Sequence, residues 1–104
     1  MAYCAIMKAK LVVRERVAYS AAELVEMVVW ELPEPVPPSR HLFKYRLVYI
    51  VDGARVLGYD NDRGKGDHRH FMGTENPFRF LSVDTLLEGF VAEVEALRMK
   101  GSGL

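Results

Sequence analysis

The sequence predicts a single α+β domain, an antiparallel β-meander of about five or six strands with a C-terminal helix packed on one face. Three observations predict this fold class. Short runs of β-branched and aromatic residues recur between residues 6 and 81, a turn dipeptide separates two of them, and a helical apolar pattern follows. The chain has 104 residues, 50% of them hydrophobic, which is enough for one modest core. Residues 1–6 and 101–104 are expected at the periphery of this domain.

The N-terminal part of the chain predicts two strands and a stiff connection. Apolar and charged residues are interleaved from residue 6 to residue 19, and residues 24–32 are rich in β-branched side chains. A helix that begins at Ser20 is the alternative for the second segment, because Glu23 would complete a capping box. Four prolines between residues 33 and 38 then stop the strand and favour an extended spacer.

The centre of the chain predicts a hairpin followed by two shorter strands. Lys44–Val51 has the strongest strand pattern, and Arg55–Asp60 is expected to return antiparallel to it. Between them, Asp52-Gly53 suits a type I′ turn, because both central positions of that turn need positive φ. Further strands are predicted at His68–Met72 and Phe78–Leu81. The turn between those two is assigned to Gly73, Asn76 and Pro77.

A C-terminal helix is predicted from its boundary residues and its apolar stripe. Ser82 suits the N-cap, Asp84 favours the positive end of the helix dipole, and Gly101 suits the C-terminal end. One face of the helix is apolar and is expected to pack on the sheet. Its residues are Leu86, Phe90, Val94 and Leu97.

The charge balance and the cysteine content exclude several classes of protein. The formal net charge is zero, which argues against a generally basic protein that coats nucleic acid. Residues 40–70 are nevertheless net positive, so a local anion-binding patch is compatible with the composition. Cys4 is the only cysteine, which excludes an internal disulfide and an all-cysteine metal cluster. The sequence shows no membrane span and no signal peptide, and a cytoplasmic protein is expected.

The stretch Tyr59–His70 contains more polar chemistry than a hairpin turn needs. It holds three carboxylates, two histidines, three cationic side chains and two glycines. Grouping so many titratable side chains has a desolvation and repulsion cost, so such clusters tend to mark functional sites. We therefore expect the function to reside in this stretch.

Metal-independent cleavage of a phosphodiester is the first interpretation of these residues. His68 and His70 are two positions apart, so on a strand both project from the same face. One imidazole could accept the proton of an attacking 2′-hydroxyl while the other donates a proton to the leaving oxygen. Asp60 or Asp67 would orient an imidazole. These four residues are the predicted catalytic set.

The candidate substrate-binding residues are cationic or aromatic. Gly64 and Gly66 would let backbone N–H groups approach a phosphate, although the other residues of a P-loop are missing. Tyrosines 45, 49 and 59 could stack on a nucleobase, and half-buried positions in the sheet are the alternative. The residues assigned to the substrate are Lys65, Arg63, Arg69, Tyr59 and Arg46.

Other interpretations of the stretch stay open. His68 and His70 with Asp60 and Asp62 offer ligands for a metal, but the nearby cations repel a divalent ion, and no metal or cofactor is assigned. The charged residues could instead form salt bridges around a surface hairpin with exposed histidines. The cluster could also grip a protein partner or a nucleic acid without catalysis. Outside it, His41 is expected in a solvated loop, and Trp30 is expected to anchor the core or an interface.

Several segments resemble the TumE-like toxins of prokaryotic type II toxin–antitoxin systems, over about residues 7–98. The resemblance is densest in the pattern Tyr-Asp-Asn-x-x-Gly-Lys-Gly-Asp-His-Arg-His. It implies a toxin that acts on RNA or translation and is neutralised by a cognate helix-turn-helix antitoxin; a homodimer is left open. It supplies no reaction, so the catalytic assignments rest on residue chemistry. The segments are Phe43–Leu47, Asp52-Gly53, Tyr59–Asn61, Gly64–His70 and Phe78–Phe80.

Overall fold

The structure is a computed structural model that describes residues 9–102. Cys4 and the predicted peripheral segment 1–6 lie outside the described residues. Six strands and one helix follow one another along the described chain. They are β1 (Lys10–Ala18), β2 (Glu23–Glu31), β3 (Phe43–Val51), β4 (Ala54–Asp62), β5 (Gly66–Phe71), β6 (Thr74–Pro77) and α1 (Val83–Ser102).

The strands form one sheet in which their spatial order is their order along the chain. Every neighbouring pair is antiparallel, so the sheet is a simple meander, with β1 and β6 at its two edges. Helix α1 packs on one face of this sheet. The predicted α+β fold is therefore confirmed.

The predictions for β2 and for the first hairpin turn are confirmed. The segment after Ser20 is the strand β2, so the alternative helix at that position was wrong. The turn between β3 and β4 is formed by Asp52 and Gly53, whose φ angles are 51° and 79°. Positive φ at both positions is what the Asp-Gly dipeptide predicted.

The predicted last strand, Phe78–Leu81, was wrong. The hairpin after β5 turns at Met72 and Gly73, with φ angles of 51° and 85°, and β6 follows at once. The alternating aromatic residues that imitated a strand pack instead against side chains on the helix side. The ring of Phe78 lies 4.8 Å from that of Tyr59 in an edge contact, and Phe80 packs against the same core.

The core lies between the sheet and α1. Alternate residues of the three central strands meet the apolar stripe of the helix, and the predicted stripe is confirmed because Leu86, Phe90 and Val94 are buried. Ser82 caps the helix, since its Oγ accepts a hydrogen bond from the Thr85 N–H at 3.0 Å. The buried sheet residues are Val25, Val29, Tyr45, Leu47, Tyr49, Leu57 and Tyr59.

The opposite face of the sheet carries the residues that alternate with the core, and we call it the open face. Side-chain direction alternates along each strand, and paired residues on neighbouring strands share a face. Rows of paired residues therefore cross the open face from β1 to β6. Its central residues, in strand order, are Trp30, Arg46, Asp60, His68, His70 and Glu75.

Candidate functional site

The predicted polar stretch consists of two paired strands rather than a long loop. Strand β4 continues to Asp62 and β5 begins at Gly66, so only residues 63–65 form the turn. Alternation along β5 divides the predicted residues between the two faces of the sheet. His68 and His70 lie on the open face, whereas Asp67 and Arg69 lie on the helix side.

His70 is the best-oriented imidazole on the open face. Its Nε2 lies 3.2 Å from Asp60 Oδ1, and its Nδ1 lies 3.1 Å from Nη2 of Arg55. A guanidinium has only donors, so Nδ1 accepts from Arg55 and Nε2–H donates to Asp60. Asp60 thus fixes the tautomer and the orientation of His70, as a carboxylate does beside a catalytic histidine.

Glu75 of β6 joins the two histidines. Its Oε2 lies 3.4 Å from His70 Nδ1, and its Oε1 lies 3.6 Å from His68 Nε2 and 3.7 Å from Lys65 Nζ. The two imidazole centroids are 6.3 Å apart. The Glu75 carboxylate therefore lies beside two imidazoles and an ammonium group. We call the set Arg55, Asp60, Lys65, His68, His70 and Glu75 the open-face cluster.

The open-face cluster has a buried inner layer and an exposed outer layer. The side chains of His68 and His70 are 10% and 12% exposed, whereas those of Glu75 and Lys65 are 39% and 61% exposed. An anionic ligand that approaches from solvent would meet Lys65 first. It would then have to compete with the Glu75 carboxylate for the two histidines.

A groove of about 500 Å³ lies beside Asp60 on the same face. Lys44 is engaged there, because its Nζ lies 3.2 Å from Asp62 Oδ1 and also donates to the backbone oxygen of Asn61. Arg46 is exposed and makes no ion pair with any residue in the described part of the chain. We call this feature the Trp30 groove; it is lined by Val28, Trp30, Lys44, Tyr45, Arg46, Asp60 and Asp62.

Asp67 belongs to a separate cluster on the helix side. Its carboxylate accepts hydrogen bonds from Ser39 Oγ at 2.5 Å, Tyr45 OH at 2.6 Å and His41 Nε2 at 2.7 Å. Burial alone would raise the pKa of Asp67, but these three bonds outweigh it and hold that pKa below its usual value. The expectation that His41 is a solvated loop residue was wrong. Its ring stacks on Phe80 at 3.9 Å, and its Nδ1 accepts the Phe43 N–H.

Tyr59 and Arg69 fasten the sheet to the helix. Both donate hydrogen bonds to the carboxylate of Glu93 on α1, and Arg69 Nε donates to the Tyr59 hydroxyl at 3.1 Å. Burial and then the bond to Glu93 raise the pKa of Tyr59 to about 12. The bond to Glu93 raises the pKa of Arg69. The structure does not bring these two residues to the histidines.

The glycines of the turn pack against the proline segment. The Gly64 N–H donates to the Pro37 carbonyl at 2.9 Å, so it is occupied rather than free to bind phosphate. Gly66 has a φ of 80°, and a Cβ built there would lie 3.1 Å from Pro38 Cγ. The proline segment is therefore part of the packing around the turn. Arg63 is exposed at the tip of that turn.

The tyrosines proposed as a stacking surface are buried. Tyr45, Tyr49 and Tyr59 are 1%, 3% and 6% exposed on the helix side. Their hydroxyl groups donate to Asp67, Glu23 and Glu93 respectively. In this conformation no nucleobase could lie on their rings. The alternative of a position inside the sheet is the one that the structure supports.

Sequence reasoning missed Glu75 and Arg55 on the open face and Ser39 on the helix side. Glu75 was missed because the last strand was misplaced by four residues, which hid its pairing with His70. Arg55 fits an ordinary strand pattern, which gives no sign of its contact with His70. Gly73 was the available signal, since glycine readily adopts the positive φ that a two-residue hairpin turn needs.

The described residues contain no cluster of metal ligands and no helix that could span a membrane. Within residues 9–102, no three His, Cys, Asp or Glu side chains converge in a way that could hold a metal ion. The metal interpretation of His68, His70, Asp60 and Asp62 thus has no support from the geometry. None of the helical residues described forms a segment that is long and apolar enough to span a membrane.

Comparison with models of protein families gives a match over most of the chain. A family model described as toxin TumE matches residues 5–98, which covers both sets of predicted site residues and the whole sheet. Comparisons with curated proteins and with solved structures give no significant match.

Proposed function

Because the chain belongs to the TumE toxin family, we propose that it is the toxin of a toxin–antitoxin module and cleaves RNA without a metal at the open-face cluster. The observation that carries this proposal is the geometry of His70. Asp60 orients its Nε2 side at 3.2 Å, while its Nδ1 side faces Arg55 and Glu75. Glu75 in turn contacts the exposed Lys65. An oriented imidazole beside an anion-holding cluster suits phosphodiester cleavage.

The proposed reaction uses the two histidines as base and acid. His70 Nδ1 takes the proton of a ribose 2′-hydroxyl, and the 2′-oxygen forms a bond to phosphorus. The bond from phosphorus to the 5′-oxygen breaks, and protonated His68 supplies a proton to that leaving oxygen. The products are a 2′,3′-cyclic phosphate end and a 5′-hydroxyl end. Histidine suits both steps because it titrates near neutral pH.

The cations around the histidines would hold the phosphate. Lys65 and Arg55 belong to the open-face cluster, exposed Arg46 pairs across the strands with Asp60, and exposed Arg63 lies in the turn before β5. When a phosphate displaces Glu75, Arg55 can turn from His70 Nδ1 to the phosphate and free that nitrogen. Such cations would stabilise the extra negative charge that develops on the phosphoryl oxygens.

The remaining predicted residues take a supporting role in this proposal. Asp67 would fix the segment around His41, and Tyr59 with Arg69 would hold the sheet against α1. Each alternates with a residue of the open face. They would therefore stabilise the fold that carries β4 and β5 without contacting RNA.

The test is induced expression of the chain without an antitoxin. Wild type, His70→Ala and His68→Ala are compared for growth and for the integrity of total RNA, with thermal unfolding of each purified variant. Growth arrest with RNA fragments that is lost in both folded variants supports the proposal. Arrest with intact RNA, or arrest that persists in both variants, contradicts it.

A non-catalytic toxin that grips a partner or a nucleic acid is the second candidate. It is favoured by one observation: both histidines are mostly buried and face the carboxylates of Asp60 and Glu75. Such a toxin would lose binding of its target in step with toxicity in the same variants. A nuclease would keep binding RNA when His70 is replaced.

We propose a cognate helix-turn-helix antitoxin as the neutralising partner and the cytoplasm as the place of action. The family name supports a toxin, and a toxin needs a partner that restrains it. Co-expression of the chain with the product of a neighbouring helix-turn-helix gene should restore growth and give a co-purifying complex. Light scattering of the isolated chain would decide between a monomer and a homodimer.

A further inference from the structure

Trp30 occupies an unusual position for the only tryptophan of the chain. It lies on β2, paired with Lys44, and its side chain is on the open face rather than in the core. It is partly exposed and forms a wall of the Trp30 groove. Tryptophan usually buries its large apolar surface, so an indole that lines an open groove is suited to contact with a ligand.

We infer that Trp30 and Arg46 form a binding subsite for a nucleobase of single-stranded RNA, adjacent to the proposed cleavage site and resting on that proposal. The Trp30 groove is continuous with the open-face cluster, because Asp60 lines the groove and also contacts His70. A base that stacks on the indole would belong to a nucleotide a short distance along the same strand from the one that is cleaved.

The composition of the groove favours a base over a phosphate. The carboxylate oxygens of Asp60 and Asp62 balance the charges of Lys44 and Arg46 in its lining, and Asp62 already engages Lys44, so the groove has no excess positive charge for a phosphate group. The same oxygens can accept hydrogen bonds from the amino edge of a base. Arg46 has no ion pair with a described residue, so its planar guanidinium can stack on the base or meet the adjoining phosphate.

The spacing of the strands places the subsite within reach of the histidines. Trp30 is on β2 and His70 is on β5, three strand intervals apart. Neighbouring strands lie about 4.8 Å apart, so the separation across the sheet is about 14 Å. The row of Trp30 reaches β5 at Gly66, four residues before His70, which adds about 13 Å along the strand direction. A single strand that crosses the sheet can therefore occupy both places.

Only an unpaired strand fits this arrangement. Stacking on a protein aromatic ring needs a base with a free face, which a duplex does not offer. Base stacking on aromatic side chains is tolerant of sequence, so the subsite would add affinity for single strands in general. The buried tyrosines of the helix side could not supply such a surface, whereas Trp30 can.

Tryptophan fluorescence tests the inference directly, since all of the tryptophan emission comes from Trp30. The full-length His68→Ala/His70→Ala variant is titrated with single-stranded oligocytidylate, which it should not cleave. We expect saturable quenching, and no comparable quenching by inorganic phosphate or by duplex RNA of equal charge. In the same background, Trp30→Leu should lower the affinity for labelled oligocytidylate about tenfold or more. Trp30→Phe keeps an aromatic ring and should lower that affinity less.

A charge-matched pair of variants separates the groove from general electrostatics. Arg46→Ala should weaken binding of the labelled strand, whereas Arg79→Ala, an exposed arginine outside the sheet, should leave it nearly unchanged. RNA binding without quenching, equal binding of single strands and duplex, or equal effects of the two arginine variants would overturn the inference. Quenching without any RNA cleavage by wild type would keep the subsite and reject only the nuclease reaction.

Discussion

His41 and Asp67 are joined by a hydrogen bond of 2.7 Å between Nε2 and Oδ2, although 26 positions separate them in the chain. The same carboxylate binds Ser39, so the segment that follows the prolines is held to β5 at two points. Asp67 is thereby an organising residue of the helix side. Its neighbours His68 and His70 remain available to the open face.

Replacing Asp67 with Asn should destabilise the fold by about 1–3 kcal/mol, because the hydrogen bonds to Ser39 Oγ and His41 Nε2 lose their charged acceptor. Urea unfolding measures this change. Asp62→Asn is the control, since Asp62 is exposed and its ion pair with Lys44 should contribute less than about 1 kcal/mol. Equal losses in the two variants would contradict the assigned role of Asp67.

The stability of the wild type should fall in acid through Asp67. The pKa of this carboxyl is lower in the folded chain than in the unfolded chain, so its contribution is complete above the unfolded pKa of about 4. It is lost as the pH falls through the folded pKa. The difference in unfolding free energy between wild type and Asp67→Asn should therefore shrink below about pH 4. A constant difference down to the acid limit would count against this assignment.

Gly66→Ala should cost more stability than Gly64→Ala. Both glycines have positive φ, so each substitution carries a backbone penalty of about 1–2 kcal/mol. A Cβ at position 66 also meets Pro38 at 3.1 Å, whereas one at position 64 has open space. Thermal unfolding measures both changes. Adding Pro38→Ala should recover part of the stability lost in Gly66→Ala and none of that lost in Gly64→Ala. An equal effect of Pro38→Ala on both glycine variants would disprove the contact.

Substitutions on the open face should reduce RNA cleavage, whereas substitutions on the helix side should reduce stability. Asp60→Asn should reduce RNA cleavage by about tenfold or more with little loss of stability, because His70 loses the carboxylate that fixes its tautomer and its orientation. Arg69→Ala should lower the melting temperature through the loss of its bond to Glu93, with cleavage by the remaining folded protein largely kept. The pair is measured by oligonucleotide cleavage at a temperature where both variants are folded. The reverse pattern would exchange the roles of the two faces.

Glu75→Gln should strengthen binding of anions to the open-face cluster. The substitution removes the charge that competes for His68, His70 and Lys65, while the amide keeps the shape of the side chain. Competition of inorganic phosphate with a labelled strand measures the effect, and a several-fold gain in affinity is expected. Glu88→Gln, on an exposed position of α1, is the control. An unchanged or weakened affinity would mean that Glu75 does not occupy the anion position.

The sequence predicted the fold well because its local patterns agree with the final structure. The Asp52-Gly53 turn, the β-branched run of β2 and the apolar stripe of α1 each specify their element through nearby residues. The last strand failed for a physical reason. The alternation of Phe78 and Phe80 also suits two aromatic side chains that pack over the core from an irregular segment.

The candidate site was predicted only in part, because strand pairing decides which residues meet. The spacing of His68 and His70 placed them on a common face, and that geometry holds. The residues around His41 do not predict its hydrogen bond to Asp67, because that bond depends on how the proline segment packs against the turn before β5. Glu75 required the register between β5 and β6, which in turn depends on the Met72-Gly73 turn.

The two-residue repeat of β5 makes the site sensitive to the register of this strand. Within one tetrapeptide, Asp67 and Arg69 lie on the helix side of the sheet, while His68 and His70 lie on the open face. Deleting or inserting a single residue inside it would move the residues on one side of the change to the opposite face, which would place a histidine on the helix side or Asp67 or Arg69 on the open face. Length variation in this part of the chain is therefore expected only in the turn at residues 63–65, whereas substitutions can alter the chemistry and the scaffold independently.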